Sequence, residues 1–284
     1  MQQTIITPAK EAILAALGRL HFSTSDQLTR ATRSPRRVEE TRRHIRALRL
    51  AGYIDYLLTG APKLGGEPTR VYFPTDRAYR YLRELELVPS VNYRARAQRQ
   101  RHTLFLDHTL ASNELIVLAQ RLSRKRLEVT LASYMTEHET KKQPMYVKTS
   151  SSNRQAVIPD AWIDLRVPAR YSIAFELDRN SEFRRALQSK IEGYVEAERG
   201  AYQEAFDSDS LTVAFVVAEG GQHRVQMLLN WIEQVLTKAQ AKDIADLFRV
   251  GTFELQTVDP EHFFYSPVWY RPFDPNQVAL LGGG

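Results

Sequence analysis

The chain contains no cysteine among its 284 residues. Without thiols it cannot form a disulfide, a thiolate zinc site or a cysteine nucleophile. It also lacks any apolar run close to the roughly 18 residues that a membrane-spanning helix needs. Residues 1–4 lack the basic and apolar regions of a signal peptide. These absences fit a cytoplasmic protein with no membrane partner.

The positive charge of the chain is unevenly distributed. The net charge is +6, but residues 1–101 carry 19 Lys and Arg against 9 Asp and Glu, and the remainder has a net charge of −4. A basic front joined to a mildly acidic remainder favours a polyanion-binding module attached to a second unit. Membrane-surface binding is the weaker alternative, because the basic residues follow a helical pattern instead of forming a tail.

The first ninety residues predict a helix, a short helix, a basic helix and a β-hairpin, in that order. Ser34 and Pro35 suit the start of the basic helix, and Gly52 suits its end. Two predicted strands, 53–58 and 69–73, then flank a loop rich in glycine and proline. This order resembles a winged helix-turn-helix, whose recognition helix enters the major groove of duplex DNA. A solvated arginine face and a protein-docking module are the alternatives.

A second basic segment, residues 92–101, has no apolar periodicity and marks a predicted domain boundary. It is either a solvated linker or a strip that neutralises phosphates. We expect a winged-helix domain at 1–90, a basic linker at 91–101, a second domain at 102–273 and a tail at 274–284. The residues predicted to contact DNA are Arg36, Arg37, Arg43, Arg46, Lys63, Arg70, Arg94, Arg96, Arg99 and Arg101.

Two short segments of the second domain, 157–165 and 171–178, read as β-strands with carboxylates on one face. Side chains of a strand alternate with a period of two. Asp160 and Asp164 therefore share a face of the first strand, and Glu176 and Asp178 share a face of the second.

The connection between these strands is short enough for a tight hairpin. If the hairpin is symmetric about Pro168, Asp160 lies directly opposite Glu176. Like charges opposed across a sheet are destabilising, so a cation between them is expected. Mg²⁺, with Mn²⁺ as a substitute, is the simplest candidate. Alternatively, Asp160 caps a turn and Glu176 pairs with Arg179 or Arg185.

The remaining elements predict helix, strand, strand, strand, helix, strand, helix, strand, which is a layered α/β domain (α+β for the whole chain). The apolar run 211–217 predicts a buried strand, with a parallel arrangement as one option. Residues 135–152 are polar and predict a flexible excursion, and 248–258 predict the last strand.

This order, with Pro159-Asp160 on one strand and Glu176-Leu177-Asp178 on the next, resembles the PD-(D/E)xK nuclease superfamily, a mixed-sheet fold. The resemblance implies that the two acids bind Mg²⁺ and that a lysine two residues after the second acid positions or activates water. Asp178 stands where that lysine should be.

Some members of the superfamily move the lysine to the next helix. Lys190 shares a predicted helix face with Phe183, Leu187 and Tyr194, so it should point toward the sheet. Glu114 resembles the acid that some members contribute from their first helix. The candidate catalytic residues are therefore Asp160, Glu176, Asp178 and Lys190, and the candidate metal ligands are Asp160, Glu176 and Glu114.

Over roughly residues 8–200 the chain resembles the replication-relaxation family of plasmids and integrative elements. The motifs are the winged-helix pattern, His102-Thr103-Leu104, Asn113-Glu114, Pro159-Asp160 and the stretch Glu176-Leu177-Asp178-Arg179-Asn180-Ser181-Glu182. The resemblance implies a partner in double-stranded DNA of mobile elements, with a homodimer and replication or mobilisation proteins as further candidate partners. Two functions stay open: Mg²⁺-dependent DNA nicking or endonuclease cleavage, and transcriptional or replication regulation by an inactive nuclease fold.

Overall fold

The structure, a computed structural model, describes residues 5–32, 37–59, 69–88, 93–98, 103–148, 154–179 and 184–282. It divides the chain into two units, Met1–Val117 and Leu118–Gly284. This division falls inside a helix, later than the linker predicted at 91–101. Four of the predicted DNA-binding residues lie outside the described residues: Arg36, Lys63, Arg99 and Arg101.

The first unit begins with three helices and a hairpin. The elements are α1 (Pro8–Leu20), α2 (Ser25–Thr32), α3 (Val38–Leu50), β1 (Ile54–Leu58), β2 (Arg70–Pro74), α4 (Asp76–Glu84) and α5 (Ala95–Gln98). Strands β1 and β2 pair antiparallel, with Ile54 opposite Pro74. Fully buried Leu17, Leu28 and Leu48 join the helices in one apolar core. The unit is therefore a group of helices with a small hairpin.

Short polar contacts set the ends of these helices. At the start of α2, Thr24 Oγ1 accepts a hydrogen bond from the Gln27 amide, and Gln27 Oε1 accepts one from the Thr24 amide, both at 3.1 Å. These reciprocal bonds satisfy amides that have no partner inside the helix. At the end of α3, Gly52 has φ of +74° and donates to the Arg49 carbonyl at 2.9 Å. Glycine adopts this conformation without the Cβ penalty, so Gly52 ends α3 as predicted. The predicted start at Ser34 and Pro35 lies outside the described residues.

The second unit is built on a seven-stranded mixed sheet in the order β11-β10-β9-β8-β7-β6-β3. Its strands are β3 (Thr130–Thr136), β6 (Ala161–Val167), β7 (Ala169–Asp178), β8 (Thr212–Val217), β9 (Phe248–Thr252), β10 (Trp269–Arg271) and β11 (Asp274–Val278). Strand β8 is parallel to both β7 and β9, and the other pairs are antiparallel. The apolar run at 211–217 is thus a buried parallel strand, as predicted.

A separate antiparallel pair, β4 (Met145–Lys148) and β5 (Arg154–Val157), precedes β6. The remaining helices are α6 (Thr103–Lys125), α7 (Glu137–Thr140), α8 (Arg184–Glu196), α9 (Tyr202–Phe206), α10 (Gly221–Lys238) and α11 (Pro260–Tyr265), with a π-helical turn at Ala197–Ala201 and a 3-10 turn at Lys242–Leu247. Apolar residues of α8 and α10, such as Ile191 and Leu228, pack with Trp162, Ala174 and Phe215 on one face of the sheet. No helix in the described ranges is both long and apolar enough to cross a bilayer.

Two parts of the second unit differ from the sequence predictions. The excursion predicted at 135–152 contains the end of β3, α7 and β4. The tail predicted at 274–284 contains β11, whose residues are mostly exposed. An edge strand is held by backbone hydrogen bonds to one neighbour, so it needs no apolar alternation and leaves no such pattern in the sequence. The last predicted strand, 248–258, ends at Thr252, and two further strands follow it.

Candidate functional site

Asp160 and Glu176 lie opposite one another at the ends of β6 and β7. The pairing runs from Val167 opposite Ala169 to Ala161 opposite Phe175, so the hairpin is symmetric about Pro168, as predicted. The Asp160 amide continues it by donating to the Phe175 carbonyl at 3.0 Å. One more step of this register places Asp160 opposite Glu176. Both side chains are buried.

Helix α8 supplies two hydrogen-bond donors to Glu176. Lys190 Nζ donates to Glu176 Oε2 at 2.7 Å, and the Tyr194 hydroxyl donates to Oε1 at 2.5 Å. Residues four apart lie on one helix face, so both donors reach the same carboxylate. Lys190 therefore faces the sheet, as the helix periodicity predicted.

The charge state of Glu176 reflects its burial and its neighbours. Burial raises the pKa of Glu176 to about 7, the ammonium of Lys190 opposes this rise, and the negative charge of Asp160 adds to it. Burial, followed by the charge of Glu176, raises the pKa of Tyr194 well above its ordinary value. Since Asp160 acts on the pKa of both groups, its carboxylate belongs to the same electrostatic cluster.

Asp160 is held by the backbone of the neighbouring strand. Its Oδ2 accepts a hydrogen bond from the Leu177 amide at 2.8 Å. This bond fixes the carboxylate beside β7, since a strand amide moves little. This contact crosses from one strand to the next, so it is not the turn cap that was the alternative role for Asp160.

A third acid, Glu137, extends the row. Strand β3 pairs with β6 as far as Thr136 opposite Ala161, and Glu137 begins α7 directly after this pair. Oxygens of the Glu137 and Asp160 carboxylates lie within 4.8 Å of one another. Thr140 Oγ1 donates to the Pro159 carbonyl at 2.9 Å, which ties α7 to the start of β6. Glu137 follows β3, Asp160 precedes β6 and Glu176 lies on β7. We call these three acids, gathered at one end of three adjacent strands, the acid row.

The sequence predictions missed Glu137 because the excursion predicted at 135–152 included it. A local signal existed: Thr136 and Glu139 form a capping box, with Glu139 Oε2 accepting from the Thr136 amide at 2.8 Å. A threonine followed three residues later by glutamate is typical of a helix start. That signal places Glu137 at the first turn of a helix directly after a strand.

The carboxylates of the acid row are the type of ligand that Mg²⁺ and Mn²⁺ prefer. Both ions prefer carboxylate oxygens, and Glu137, Asp160 and Glu176 can supply them. Burial is the largest cause of the raised pKa of Glu176, and the charge of Asp160 raises it further. A cation beside both carboxylates would oppose this rise. No described residue of the row is a thiol or another soft ligand.

Asp178, the remaining acid of β7, is bound by an arginine. Arg224 on α10 donates to both carboxylate oxygens, from Nε at 2.7 Å and from Nη2 at 2.9 Å. Both side chains are buried, and the guanidinium lies 5.0 Å from the centre of the Trp231 ring. Asp178, predicted as a catalytic residue, is thus half of a buried bidentate ion pair. It shares a strand face with Glu176 but has its own cation.

Glu114, predicted as a metal ligand, also binds an arginine. Within the first unit, Arg30 donates to both of its carboxylate oxygens at 2.5 and 2.7 Å. Its neighbour Asn113 donates to the carbonyls of Leu20 and Phe22. These contacts give Glu114 an ion-pair role and join α6 to the α1–α2 region. The resemblance to the nuclease superfamily had implied that Glu114 binds a metal.

The described residues predicted to contact DNA are all exposed. They are Arg37, Arg43 and Arg46 at α3, Arg70 on β2, and Arg94 and Arg96 at α5. The guanidinium groups of Arg49 and Arg70 lie 4.9 and 5.6 Å from the centre of the Tyr56 ring. The end of α3 and the hairpin therefore share one basic and aromatic surface.

A comparison with protein families identifies the chain. The family model described as Replication-relaxation matches residues 14–208, which is more than half of the chain. No curated protein and no solved structure matches it. The matched span contains the basic surface of the first unit, the acid row and Lys190. The chain therefore belongs to the replication-relaxation family, and this membership implies a role related to plasmid replication.

Proposed function

We propose that the protein binds duplex DNA of a plasmid or mobile element through its first unit and cuts one strand at the acid row of its second unit. The single observation that carries this proposal is the cluster of Asp160, Glu176 and Lys190. Two buried acids on neighbouring strands, with a lysine from the next helix, match the residue types that metal-dependent phosphodiester hydrolysis requires.

The first unit supports the DNA-binding part. Helix α3 is amphipathic, with Thr41, Ile45 and Leu48 buried and Arg43 and Arg46 exposed. The hairpin of β1 and β2 follows it, as a wing follows a recognition helix. Exposed arginines neutralise phosphates and release the counterions of DNA, which favours binding at low salt.

The topology of the second unit supports the nuclease-like part. Helix α6, strands β3, β6 and β7, helix α8 and strand β8 follow one another in the order that the resemblance to the PD-(D/E)xK superfamily implies, with β4 and β5 inserted before β6. Asp160 immediately precedes β6, and Glu176 lies on β7. The lysine comes from α8 because Asp178 occupies the usual lysine position.

Each residue of the site then has a role. Asp160, Glu176 and Glu137 would hold Mg²⁺, which as a Lewis acid stabilises the charge that develops on the phosphate. Lys190 Nζ orients the attacking water from beside Glu176 Oε2. Tyr194 fixes the other oxygen of Glu176, so that the carboxylate keeps one orientation. Burial of Asp160 and Glu176 strengthens the electrostatic interactions of their carboxylates.

The second candidate function is DNA-bound regulation without cleavage. The observation that favours it is the pairing of the acids with protein cations: Lys190 binds Glu176, and Arg224 binds Asp178. A nuclease fold that balances its own acids can serve as a stable scaffold for a DNA-binding unit.

A cleavage assay separates the two functions. Purified protein is incubated with supercoiled plasmid in Mg²⁺, Mn²⁺ or EDTA, and conversion to the nicked or linear form is measured. We expect cleavage with either metal, and none with EDTA or with Asp160→Asn or Glu176→Gln. Glu192 is a half-exposed acid on α8, so Glu192→Gln is the matched control and keeps activity. DNA binding without cleavage under every metal condition would establish the regulator instead.

A further inference from the structure

The β4–β5 pair has one buried face and one exposed face. Met145, Val147 and Val157 are buried and belong to the core beside α8 and α10. Tyr146, Lys148 and Arg154 point the other way and are exposed. We call the exposed face, Tyr146 with Lys148 and Arg154, the ribbon surface. The residues of the ribbon surface do not contribute to the core.

The buried face fixes the pair to the helix that carries Lys190. Gln155 Nε2 donates to the Ser189 carbonyl of α8 at 2.9 Å. Gly193 allows close packing, since a Cβ added there would lie 2.7 Å from Cγ2 of Val157. The ribbon surface is therefore held rigidly relative to α8.

The ribbon surface carries unbalanced positive charge. Lys148 lies directly opposite Arg154 across the two strands. Like charges in this position are destabilising. The Arg154 guanidinium lies 3.7 Å from the centre of the Tyr146 ring. Neither Lys148 nor Arg154 forms an ion pair with a carboxylate among the described residues. An anion bound between the two cations would remove the repulsion.

The chain leads from the ribbon surface towards the acid row. Tyr146 lies opposite Ala156, and Asp160 follows Ala156 by four residues, which span at most about 14 Å. Arg154 is six residues from Asp160, a span of at most about 21 Å. A polyanion lying on the ribbon surface could therefore extend to Asp160 without a large change in the protein.

We propose that the ribbon surface is a second DNA-binding site, which holds a single-stranded segment beside the acid row. Lys148 and Arg154 bind its phosphates, and Tyr146 stacks on an unpaired base. Single strands suit the site because exposed aromatic rings stack on bases that a duplex keeps paired. The inference rests on the proposed function, since it assigns the substrate strand of the same acid row.

The test measures DNA binding in EDTA by fluorescence anisotropy, with labelled single-stranded and duplex oligonucleotides over a range of salt. We expect Lys148→Gln combined with Arg154→Gln to weaken single-strand binding at low salt. The slope of log K against log salt should fall by about 1.4, because each phosphate contact to a single strand contributes roughly 0.7. Lys238→Gln with Arg199→Gln removes two exposed charges elsewhere in the second unit and should leave binding unchanged.

The role of Tyr146 has its own variant. Tyr146→Leu should weaken single-strand binding by about 5- to 100-fold with an unchanged salt slope, since stacking on one base is worth roughly 1–3 kcal/mol. Duplex binding should change little. Thermal unfolding shows whether each variant is folded, and Lys148→Arg with Arg154→Lys, which keeps both charges, should restore binding.

The outcomes separate this inference from the proposed function. If the wild type binds single strands and the Lys148 and Arg154 variant binds them equally well, the ribbon surface is not a DNA site and the proposed function stands. If Tyr146→Leu weakens the binding of single strands and of duplex equally, the stacking role of Tyr146 is wrong. If the wild type binds no DNA of either form at low salt, the proposed function and this inference both fail.

Discussion

Lys190 on α8 donates a hydrogen bond of 2.7 Å to Glu176 on β7. Helix α8 follows β7 in the chain. In the nuclease pattern that the chain resembles, the lysine lies on the same strand as the second acid. Here that position is Asp178, which binds Arg224 instead. The cation beside Glu176 is therefore supplied by α8.

Replacing Lys190 tests its role in cleavage. We expect Lys190→Met to lower the rate of plasmid nicking by about 100-fold or more, the usual size of a positioned proton-handling or orienting group. DNA binding should change little. Lys238→Met on α10, an exposed lysine, is the control. Equal cleavage rates for Lys190→Met and wild type would exclude Lys190 from the reaction.

The raised pKa of Glu176 makes stability depend on pH. Because the folded state holds this proton more tightly than the unfolded state does, the resulting stabilisation is complete below pH 4.5 and is lost as pH rises through about 7. Glu176→Gln cannot lose that proton. In EDTA, the free energy of unfolding of wild type relative to Glu176→Gln should fall between pH 4.5 and pH 8, on the order of 1–3 kcal/mol. Urea unfolding at both pH values measures this difference, and a difference independent of pH would contradict the assignment.

Glu137 is tested as a metal ligand in the absence of DNA. Mn²⁺ should raise the thermal midpoint of the wild type, because an ion that binds only the folded state stabilises it. The shift should be smaller in Glu137→Gln and absent in Asp160→Asn. It should also grow between pH 6 and pH 8, as Glu176 loses its proton. Glu192→Gln should shift as the wild type does. A full shift in Glu137→Gln would place Glu137 outside the metal site.

Variants of Asp178 and Arg224 test whether Asp178, the third acid predicted to be catalytic, has a structural role. Arg224→Met leaves the buried carboxylate of Asp178 without its cation, so we expect a loss of about 3–5 kcal/mol in the free energy of unfolding. Asp178→Asn combined with Arg224→Met should lose less than the sum of the two single variants, because the buried charge is removed as well. Urea unfolding gives these values. If Asp178 acts only in the ion pair, the folded double variant still cuts DNA. A double variant that folds but does not cut DNA would show that Asp178 takes part in cleavage.

The α3 surface is tested with duplex DNA. Arg43→Gln with Arg46→Gln should weaken duplex binding, and the slope of log K against log salt should fall by about 1.8, since each phosphate contact to a duplex contributes roughly 0.9. Arg80→Gln with Arg83→Gln on α4 removes the same charge from another exposed helix of the first unit. Equal effects of the two pairs would mean that binding follows net charge and that α3 has no special role.

Local patterns predicted the parts of the site that depend on neighbouring residues. The alternation of side chains about Pro168 gave the register that opposes Asp160 and Glu176. Helical periodicity predicted the direction of Lys190. Residues four apart share a helix face, so Lys190 points the same way as Tyr194. Each of these relationships is set within one hairpin or one helix.

Contacts between distant segments could not be predicted in this way. The place of Glu137 depends on how β3 pairs with β6, and that pairing contains an irregularity between Leu131 and Ser133. The partner of Asp178 lies 46 residues away on α10. Neither relationship leaves a periodic signal, since each depends on the packing of separate elements.

The most direct test of the account is a crystal structure with Mn²⁺, in which anomalous scattering locates the ion. We expect one ion where β6 begins beside the end of β7, bound by carboxylate oxygens of Asp160 and Glu176, with Lys190 beside it. At saturating Mn²⁺, an ion bound only elsewhere, with none at the Asp160 and Glu176 carboxylates, would contradict the proposed metal site.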